Sequence, residues 1–235
     1  MKRSGGSDEA KRRAGEAAAD RVTDGQVVGL GTGSTAAHAI RALGRAVDAG
    51  LDVRGIPTSV ASRELAREAG VPLATLADAR PDIAIDGADE IVASDAGFDL
   101  VKGGGAAHAR EKYVDSAADE LLVVADPTKL AETLAGPVPV EVLPDARPVV
   151  ADAVRGRGGE PTLRAAERKD GPVVTDNGNL VLDCVFEGID DPAGLAADLS
   201  AIPGVVEHGL FVELADAVVV GREDGVEVRE SNRDG

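Results

Sequence analysis

The sequence predicts an α/β fold: a doubly wound, mainly parallel sheet with flanking helices, joined to a smaller α+β unit. Apolar strand-like runs alternate with helical patterns over the first 125 residues, which is typical of parallel sheets. Several loops after these strands are rich in glycine or acidic residues, and ligands bind beside such loops in open sheets. From Pro137 onward, prolines and short strands replace the alternation. A chain of 235 residues fits one large domain or a main domain carrying a smaller one.

The first half of the chain gives the clearest element pattern. Small apolar residues recur at helical spacing over residues 7–22, behind Ser7 or Asp8 as the N-cap. Gly70 is the expected stop of the third helix. After the first helix, the elements predicted as far as residue 125 are strand 26–30, helix 36–47, strand 53–56, helix 59–69, strand 83–86, a hairpin-like stretch 91–101, a helix ending near 117 and strand 120–125.

The second half predicts a two-layer α+β unit. Its expected elements are helices 146–155 and 192–201, strands 162–163 and 180–184, and turns at 156–159 and 176–178. The strand-like run Ala217–Gly221 can rejoin the main sheet, and the last few residues are expected to be disordered.

Composition excludes several classes of function. The formal net charge of -17 and the aromatic content of 2% argue against binding to nucleic acid or to an anionic membrane. Cys184 is the single cysteine, which excludes an internal disulfide and a multi-cysteine zinc site and favours a reducing, cytoplasmic compartment. No membrane span or targeting segment is expected. Arginine outnumbers lysine 19 to 6 and aspartate outnumbers glutamate 25 to 17, a pattern that suggests adaptation to concentrated salt.

The loop at residues 31–35 predicts an anion-binding site. Glycines allow a tight turn there, and the hydroxyls of Thr32, Ser34 and Thr35 gather at a helix N-terminus. The loop lacks the lysine of a Walker motif, and Ser34 stands where a dinucleotide fingerprint needs glycine, so a phosphate monoester fits better than a nucleotide. The alternative is an ordinary helix cap at Ser34.

Two further loops carry charged residues. Asp86, Asp89 and Glu90 place three carboxylates within five residues, which should be partnered by a metal, a cation or substrate hydroxyls; a solvated turn is the alternative. Lys102 precedes three glycines, and Glu111 follows nine residues later, so the two can form an acid–base pair beside an oxyanion-binding loop. The alternative there is a flexible connector.

Six motifs in order resemble the ribose-5-phosphate isomerase family of the A type, from about residue 8 to residue 228. They are GxGTGSTA at 29–36, DGADE at 86–90, KGGGAAxxREK at 102–112, ADPTK at 125–129, VxxDNGN at 173–179 and IPGVVExGLF at 202–211. The resemblance implies a Rossmann-like domain of residues 1–134 and 214–235, and a small ferredoxin-like domain of residues 135–213. It also implies a homodimer or homotetramer, no metal and no organic cofactor.

The resemblance implies a reaction and a role for each motif. The family interconverts ribose 5-phosphate and ribulose 5-phosphate through an enediol, in the non-oxidative pentose phosphate pathway. Glu111 matches the base, and Lys102 with Gly103, Gly104 and Gly105 matches the oxyanion-binding element. The remaining positions implied to bind substrate are Asp86 and Asp89 for hydroxyls and ring opening, in an order left open, Gly87 and Ala88 beside them, and Thr32, Gly33, Ser34, Thr35, Lys129 and Lys11 for the phosphate. Lys11 can equally be a solvated lysine.

The sequence also leaves other functions open. His38, His108 and His208 are scattered and are expected to pack rather than bind metal, and Cys184 is expected to be a small buried residue. A sugar-phosphate-sensing regulator would need the anion site without the Glu111 and Lys102 pair. An amino-sugar phosphate deaminase or a coenzyme A transferase would share the broad architecture.

Overall fold

The computed structural model describes residues 6–168 and 170–231 of the chain. The predicted disorder of the last few residues concerns positions 232–235, outside this part. The helices are α1 (Asp8–Ala19), α2 (Ser34–Asp48), α3 (Val60–Glu68), α4 (His108–Asp115), α5 (Arg147–Arg155) and α6 (Pro192–Ser200). The strands are β1 (Val27–Leu30), β2 (Arg54–Pro57), β3 (Ile83–Gly87), β4 (Glu90–Ser94), β5 (Gly97–Val101), β6 (Glu120–Ala125), β7 (Val138–Val142), β8 (Glu160–Leu163), β9 (Leu180–Val185), β10 (Val205–His208), β11 (Leu210–Val212), β12 (Ala217–Gly221) and β13 (Val226–Glu230).

Side-chain caps fix where two helices begin. The side chain of Ser7 accepts a hydrogen bond from the N–H of Ala10 (3.1 Å), so Ser7 is the N-cap of α1. Ser59 and Ser62 form a reciprocal capping box at the start of α3. Gly70 follows α3 with a φ of +77°, a left-handed conformation that suits glycine and ends the helix as predicted.

The main sheet has six strands in the order β13-β12-β6-β3-β1-β2. All neighbours pair in parallel except β13, which pairs antiparallel with β12 at the edge. The predicted return of Ala217–Gly221 to this sheet is confirmed. On the edge strand β13, the Glu227 carboxylate accepts hydrogen bonds from Nε of Arg222 (3.0 Å) and Nε of Arg229 (2.7 Å).

The two faces of the main sheet are covered differently. Helices α1, α2 and α3 pack on one face through small apolar side chains. A Cβ on Gly221 would lie 1.8 Å from the carbonyl oxygen of Ala10, so α1 approaches β12 closely. The other face is covered by α4 and by a three-stranded antiparallel sheet in the order β11-β5-β4. The predicted α/β class with a mainly parallel sheet and flanking helices is confirmed.

A third sheet, antiparallel and in the order β10-β7-β9-β8, forms with α5 and α6 a separate apolar core. β7 and β10 have no counterpart among the strands predicted from the sequence. Pro139 lies in β7 although that strand has neighbours on both sides. It is tolerated because pairing with β10 begins at Val140, and the Pro139 carbonyl accepts a hydrogen bond from the N–H of Gly209 (2.7 Å). This sheet falls within residues 135–213; the division of the chain into domains stays a prediction.

The ends of the parallel strands lie at one edge of the main sheet, where their loops meet. β1 leads into α2, and β3 ends at Gly87. The glycine-rich segment before α4 follows β5 of the three-stranded sheet. Among the described residues, no helix combines the length and apolar character needed to cross a membrane.

Candidate active site

The three loops singled out in the sequence line one cavity. Except for Asp86, every residue predicted for the site lies in its wall. The lining residues are Lys11, Thr32, Gly33, Ser34, Thr35, Gly87, Ala88, Asp89, Lys102, Gly103, Gly104, Gly105, Glu111 and Lys129. Asp86 is fully buried behind this wall.

One end of the cavity is the N-terminus of α2. Gly33 is the N-cap, with a φ of +134°, and no side chain caps the helix, so the first-turn N–H groups are left for a ligand. Ser34 is the first residue of the helix rather than its cap, which contradicts the alternative reading of this loop. The Thr32 hydroxyl is held by hydrogen bonds with Thr58 Oγ1 (2.8 Å) and Ser59 Oγ (2.7 Å). Helix N-termini of this kind attract anions.

Lys11 and Lys129 line the same cavity. Lys129 belongs to a short 3-10 turn after β6 and is buried, whereas Lys11 is half-buried on α1. Two ammonium groups beside a helix N-terminus can hold a doubly charged phosphate within an otherwise acidic protein.

Asp86 joins the first two loops. Its Oδ1 accepts hydrogen bonds from the N–H groups of Thr32 (3.0 Å) and Gly87 (2.6 Å). A Cβ on Gly31 would lie 2.2 Å from this same oxygen, which is why glycine is needed there. The other oxygen, Oδ2, lies 3.0 Å from Lys102 Nζ. The alternative of a solvated turn is therefore wrong for Asp86.

Lys102 and Glu111 form the buried charged pair at the other end of the cavity. Lys102 Nζ donates to the Gly87 carbonyl and lies 3.7 Å from Glu111 Oε2. Burial disfavours the ammonium form, but the carboxylates around it, Asp86 foremost, outweigh that effect and raise the pKa of Lys102 above its ordinary value. Lys102 is therefore a permanent cation in this site.

Burial raises the pKa of Glu111 from its ordinary 4.5 to about 8. Lys102 opposes this shift, and the negative charges of Asp86 and Asp89 add to it. A carboxylate with a pKa near neutrality is well matched to general-base chemistry.

The glycine-rich loop is held in place rather than flexible. Gly103 has a φ of +100°, and the N–H of Gly104 donates to Asp89 Oδ2 (2.7 Å). From the four-stranded unit, Arg164 donates to the Gly103 carbonyl (2.8 Å) and pairs with Asp183 through its Nε (2.9 Å). The flexible-connector alternative is wrong, and Arg164 is a site residue that the sequence analysis missed.

Asp115 and Phe211 were also missed. Asp115 lies one helical turn after Glu111 on α4, and its Oδ2 is 3.8 Å from Lys102 Nζ. The i,i+4 spacing of two acidic residues was the available signal. The Phe211 ring lies 5.2 Å from Lys102 Nζ and 4.9 Å from Lys112 Nζ, within range of a cation–π interaction with both.

The three histidines have packing or hydrogen-bonding roles. His38 Nε2 lies 3.2 Å from Asp8 Oδ1, and His208 Nε2 lies 3.0 Å from Ser200 Oγ. His108 is fully buried against Gly103, and burial lowers its pKa to about 3. Within residues 6–168 and 170–231, no group of three or more His, Cys, Asp or Glu side chains could hold a metal ion. Cys184 is buried, as predicted, and burial raises the pKa of its thiol to about 12.

The fold and the site define an α/β enzyme in which a buried acid–base group shares a cavity with an anion-binding helix terminus. The family model described as ribose 5-phosphate isomerase A (phosphoriboisomerase A) matches residues 54–225. The chain belongs to this family, so the resemblance seen in the sequence is confirmed, and with it the isomerase class.

Individual relatives agree with the family assignment. Ribose-5-phosphate isomerase A of Natronomonas pharaonis is 69% identical over 229 residues, covering 97% of this chain and 100% of the relative. The protein of that name from Haloarcula marismortui is 68% identical over 225 residues, covering 96% of this chain and 97% of the relative.

Solved structures extend the likeness to the backbone. Ribose 5-phosphate isomerase A of Methanocaldococcus jannaschii superposes with a TM-score of 0.90 at 45% identity, covering 94% of this chain and 98% of that one. A D-ribose-5-phosphate isomerase in complex with phospho-erythronic acid superposes with a TM-score of 0.91 at 40% identity, covering 96% of this chain and 100% of that one.

Proposed function

We propose that this chain interconverts D-ribose 5-phosphate and D-ribulose 5-phosphate through an enediol, with Glu111 as the proton-transferring base. One observation carries the assignment: Glu111 and Lys102 face the same cavity as the uncapped N-terminus of α2. A sugar phosphate needs both ends, one for its phosphate and one for its reacting carbons. The solved relative that binds phospho-erythronic acid, a four-carbon phosphorylated acid, supports this class of ligand.

The phosphate end fixes the substrate. The first-turn N–H groups of α2 and the hydroxyls of Ser34 and Thr35 hold the phosphate oxygens, and Lys11 and Lys129 supply positive charge. Binding the phosphate at one end places the other end of the open-chain sugar beside Glu111, which converts binding energy into orientation.

The reacting end moves one proton between neighbouring carbons. With the aldose, Glu111 takes the proton from C2, the electrons of that bond form the C1–C2 double bond, and O1 becomes an enediolate oxygen. Lys102 and the loop of Gly103 to Gly105 stabilise this oxyanion. Glu111 then returns the proton to C1 while the hydrogen on O2 transfers to O1, which gives the ketose without a net change in atoms or electrons.

The two aspartates have different roles because they are exposed differently. Asp89 lines the cavity, so it is the carboxylate that accepts the O1 proton when the sugar ring opens. Asp86 is fully buried and touches Lys102, so it positions that ammonium and does not meet the sugar ring. The sequence left open which of the two aspartates assists ring opening, and this role is assigned here to Asp89.

The test is incubation with ribose 5-phosphate in D₂O at high salt. We expect ribulose 5-phosphate to form with solvent deuterium at C1, because the proton on Glu111 can exchange before it returns to the substrate. Binding without turnover would instead indicate a regulator, and ammonia release from glucosamine 6-phosphate would indicate a deaminase. Activity that disappears with EDTA and returns with added metal would contradict the metal-independent reading.

Three further expectations belong to this proposal. The haloarchaeal relatives support adaptation to salt, and we expect the melting temperature to rise between dilute buffer and molar KCl because carboxylate repulsion is then screened. A melting temperature unchanged by salt would contradict it. We also expect a homodimer or homotetramer by light scattering, and a location in the cytoplasm.

A further inference from the structure

Three buried carboxyl groups surround a single ammonium. Lys102 Nζ lies 3.0 Å from Asp86 Oδ2, 3.7 Å from Glu111 Oε2 and 3.8 Å from Asp115 Oδ2. The Lys102 side chain is 2% exposed, and those of Asp86, Glu111 and Asp115 are 0%, 5% and 1% exposed. One positive charge cannot balance three buried negative charges, so some of these carboxyl groups carry protons.

Asp86 is the carboxylate of the group. Two backbone N–H groups donate to its Oδ1, and the ammonium of Lys102 contacts its Oδ2, so all its partners need an acceptor. Asp115 differs, because no N–H or O–H donor among the described residues reaches either of its carboxyl oxygens.

Asp115 and Asp86 are neighbours around one ammonium, because the Oδ2 atoms of both lie within 4 Å of Lys102 Nζ, at 3.8 Å and 3.0 Å. Two carboxyl groups can form a hydrogen bond only when one of them carries a proton. Burial, followed by the charge of Asp86, raises the pKa of Asp115 well above its ordinary value, with Lys102 opposing and Glu111 adding to the shift. The proton of the pair therefore belongs on Asp115.

We propose that Asp115 is a positioning residue: it stays protonated, donates its proton to Asp86, and so holds Asp86 and Lys102 in place while Glu111 alone changes its charge. The proposal rests on the proposed function for its catalytic consequence, but the protonation state it assigns can be tested without turnover.

Several charged and titratable groups surround Glu111. Asp86 reaches it from β3, Lys102 from the loop after β5, and Asp89 from the acidic loop. Elsewhere on α4, Lys112 Nζ donates to Glu207 Oε1 (2.6 Å) and to the carbonyl of His208 (2.7 Å), both in β10. His108 of α4 is buried against Gly103, and burial favours its neutral form. If Asp115 were ionised, it would add a further negative charge beside Glu111 and oppose its ionisation.

The first test compares Asp115→Asn with Asp115→Ala. The matched control is Asp119→Asn, at an exposed aspartate between α4 and β6. The amide of asparagine can donate to Asp86 as a protonated carboxyl group does, and alanine cannot. We expect the alanine variant to lose about tenfold to a hundredfold in kcat, and asparagine to recover most of that loss. The control keeps its activity. Equal losses in both variants would overturn the proposal.

The pH profile of kcat/KM distinguishes a protonated Asp115 from an ionised one. Replacing a protonated Asp115 by asparagine leaves the net charge beside Glu111 unchanged, so the acid limb of kcat/KM should keep its midpoint. Replacing an ionised Asp115 would remove a negative charge and move the midpoint to lower pH by about one unit or more. A downward shift of that size would overturn the proposal.

The decisive measurement needs no activity. The infrared spectrum of the double variant Glu111→Gln, Asp115→Asn is subtracted from that of Glu111→Gln. Because neither protein contains Glu111, the difference spectrum shows the carboxyl group of Asp115. We expect the carbonyl stretch of a protonated carboxylic acid at pH 7, and a carboxylate band in its place would refute the assignment. This measurement decides the question even if Asp115→Ala fails to fold. If the acid band is present and no isomerisation is detected, the proposed function fails but the protonation state stands.

Discussion

Two buried glutamates in this protein have opposite surroundings. Glu141 of β7 is fully buried, and its Oε1 accepts hydrogen bonds from Thr175 Oγ1 (2.9 Å), Asn177 Nδ2 (3.0 Å) and Asn179 Nδ2 (2.7 Å). Glu111 of α4 is almost as buried, but its nearest positive group is the ammonium of Lys102 at 3.7 Å. Both glutamates lie near motifs that the sequence marks.

The difference shows that burial alone does not make a base. Three donors on one oxygen tie the 175–179 loop to its strand, so this glutamate serves structure. Among the described residues no such set of donors reaches Glu111, and burial raises its pKa to about 8. It is available to take up and release a proton at the cavity.

The largest effect is expected for Glu111→Gln. The amide keeps the size of the side chain but cannot accept the substrate proton, so kcat should fall by about 10²- to 10⁴-fold, or about 3 to 5 kcal/mol of barrier. KM should change little, because the phosphate end is intact. Steady-state kinetics with Glu68→Gln, an exposed glutamate of α3, provide the control. A loss below tenfold would reassign the base.

Glu141→Gln should lower the stability of the protein and leave kcat nearly unchanged. The amide cannot accept all three hydrogen bonds with the strength of a carboxylate, and it buries an additional N–H group, so the free energy of unfolding should fall by about 1 to 3 kcal/mol. Denaturant titration measures this, with Glu160→Gln of β8 as an exposed control. The kcat of the folded fraction should stay within about twofold of the wild-type value. A large loss of kcat at unchanged stability would break the contrast between the two glutamates.

The pH dependence of kcat/KM sharpens the comparison further. Glu111 must be ionised to act as a base and has a pKa of about 8. Activity should therefore rise with pH, by about tenfold between pH 7 and pH 9. Glu141→Gln should show the same profile as the wild type. A flat profile across this range would mean that the titrating base is not Glu111.

The last prediction concerns how the free energy of unfolding depends on pH. Because folding raises the pKa of Glu111 from 4.5 to about 8, its contribution to stability is complete below pH 4.5 and is lost as the pH rises through 8. Glu111→Gln lacks this loss, so its stability relative to the wild type should increase between pH 5 and pH 9, by up to about 4 kcal/mol. Parallel denaturation curves at the two pH values measure it. A constant difference would show that Glu111 does not titrate in this interval.

The sequence allowed the main fold and the three loops to be predicted because their signals are local. A strand, a glycine turn and a helix follow one another within about twenty residues, as at β1 and α2. The parallel sheet brings the loops after β1 and β3 together, so Asp86 could be expected near the anion-binding loop. Lys102 and Glu111 follow β5 of the three-stranded sheet, and it was the resemblance to the family that implied their place in the same site.

The missed features depend on contacts between distant segments. Arg164 reaches the Gly103 carbonyl across 61 positions of sequence, and no local pattern marks it. β7 was missed because Pro139 argues against a strand with two neighbours, and only the register with β10 shows that its nitrogen is not needed there. Asp115 was different: its spacing from Glu111 was visible, but among 42 acidic residues it had no special weight.

The strand β13 closes one edge of the main sheet, and one of its faces carries the half-exposed ion pair of Glu227 and Arg229. An unpaired strand edge can otherwise recruit a neighbouring chain by extending the ladder. Alternating charges make that addition unfavourable, since each new strand would have to strip water from ionised side chains. We therefore expect these ion pairs to disfavour polymerisation of the enzyme through this edge.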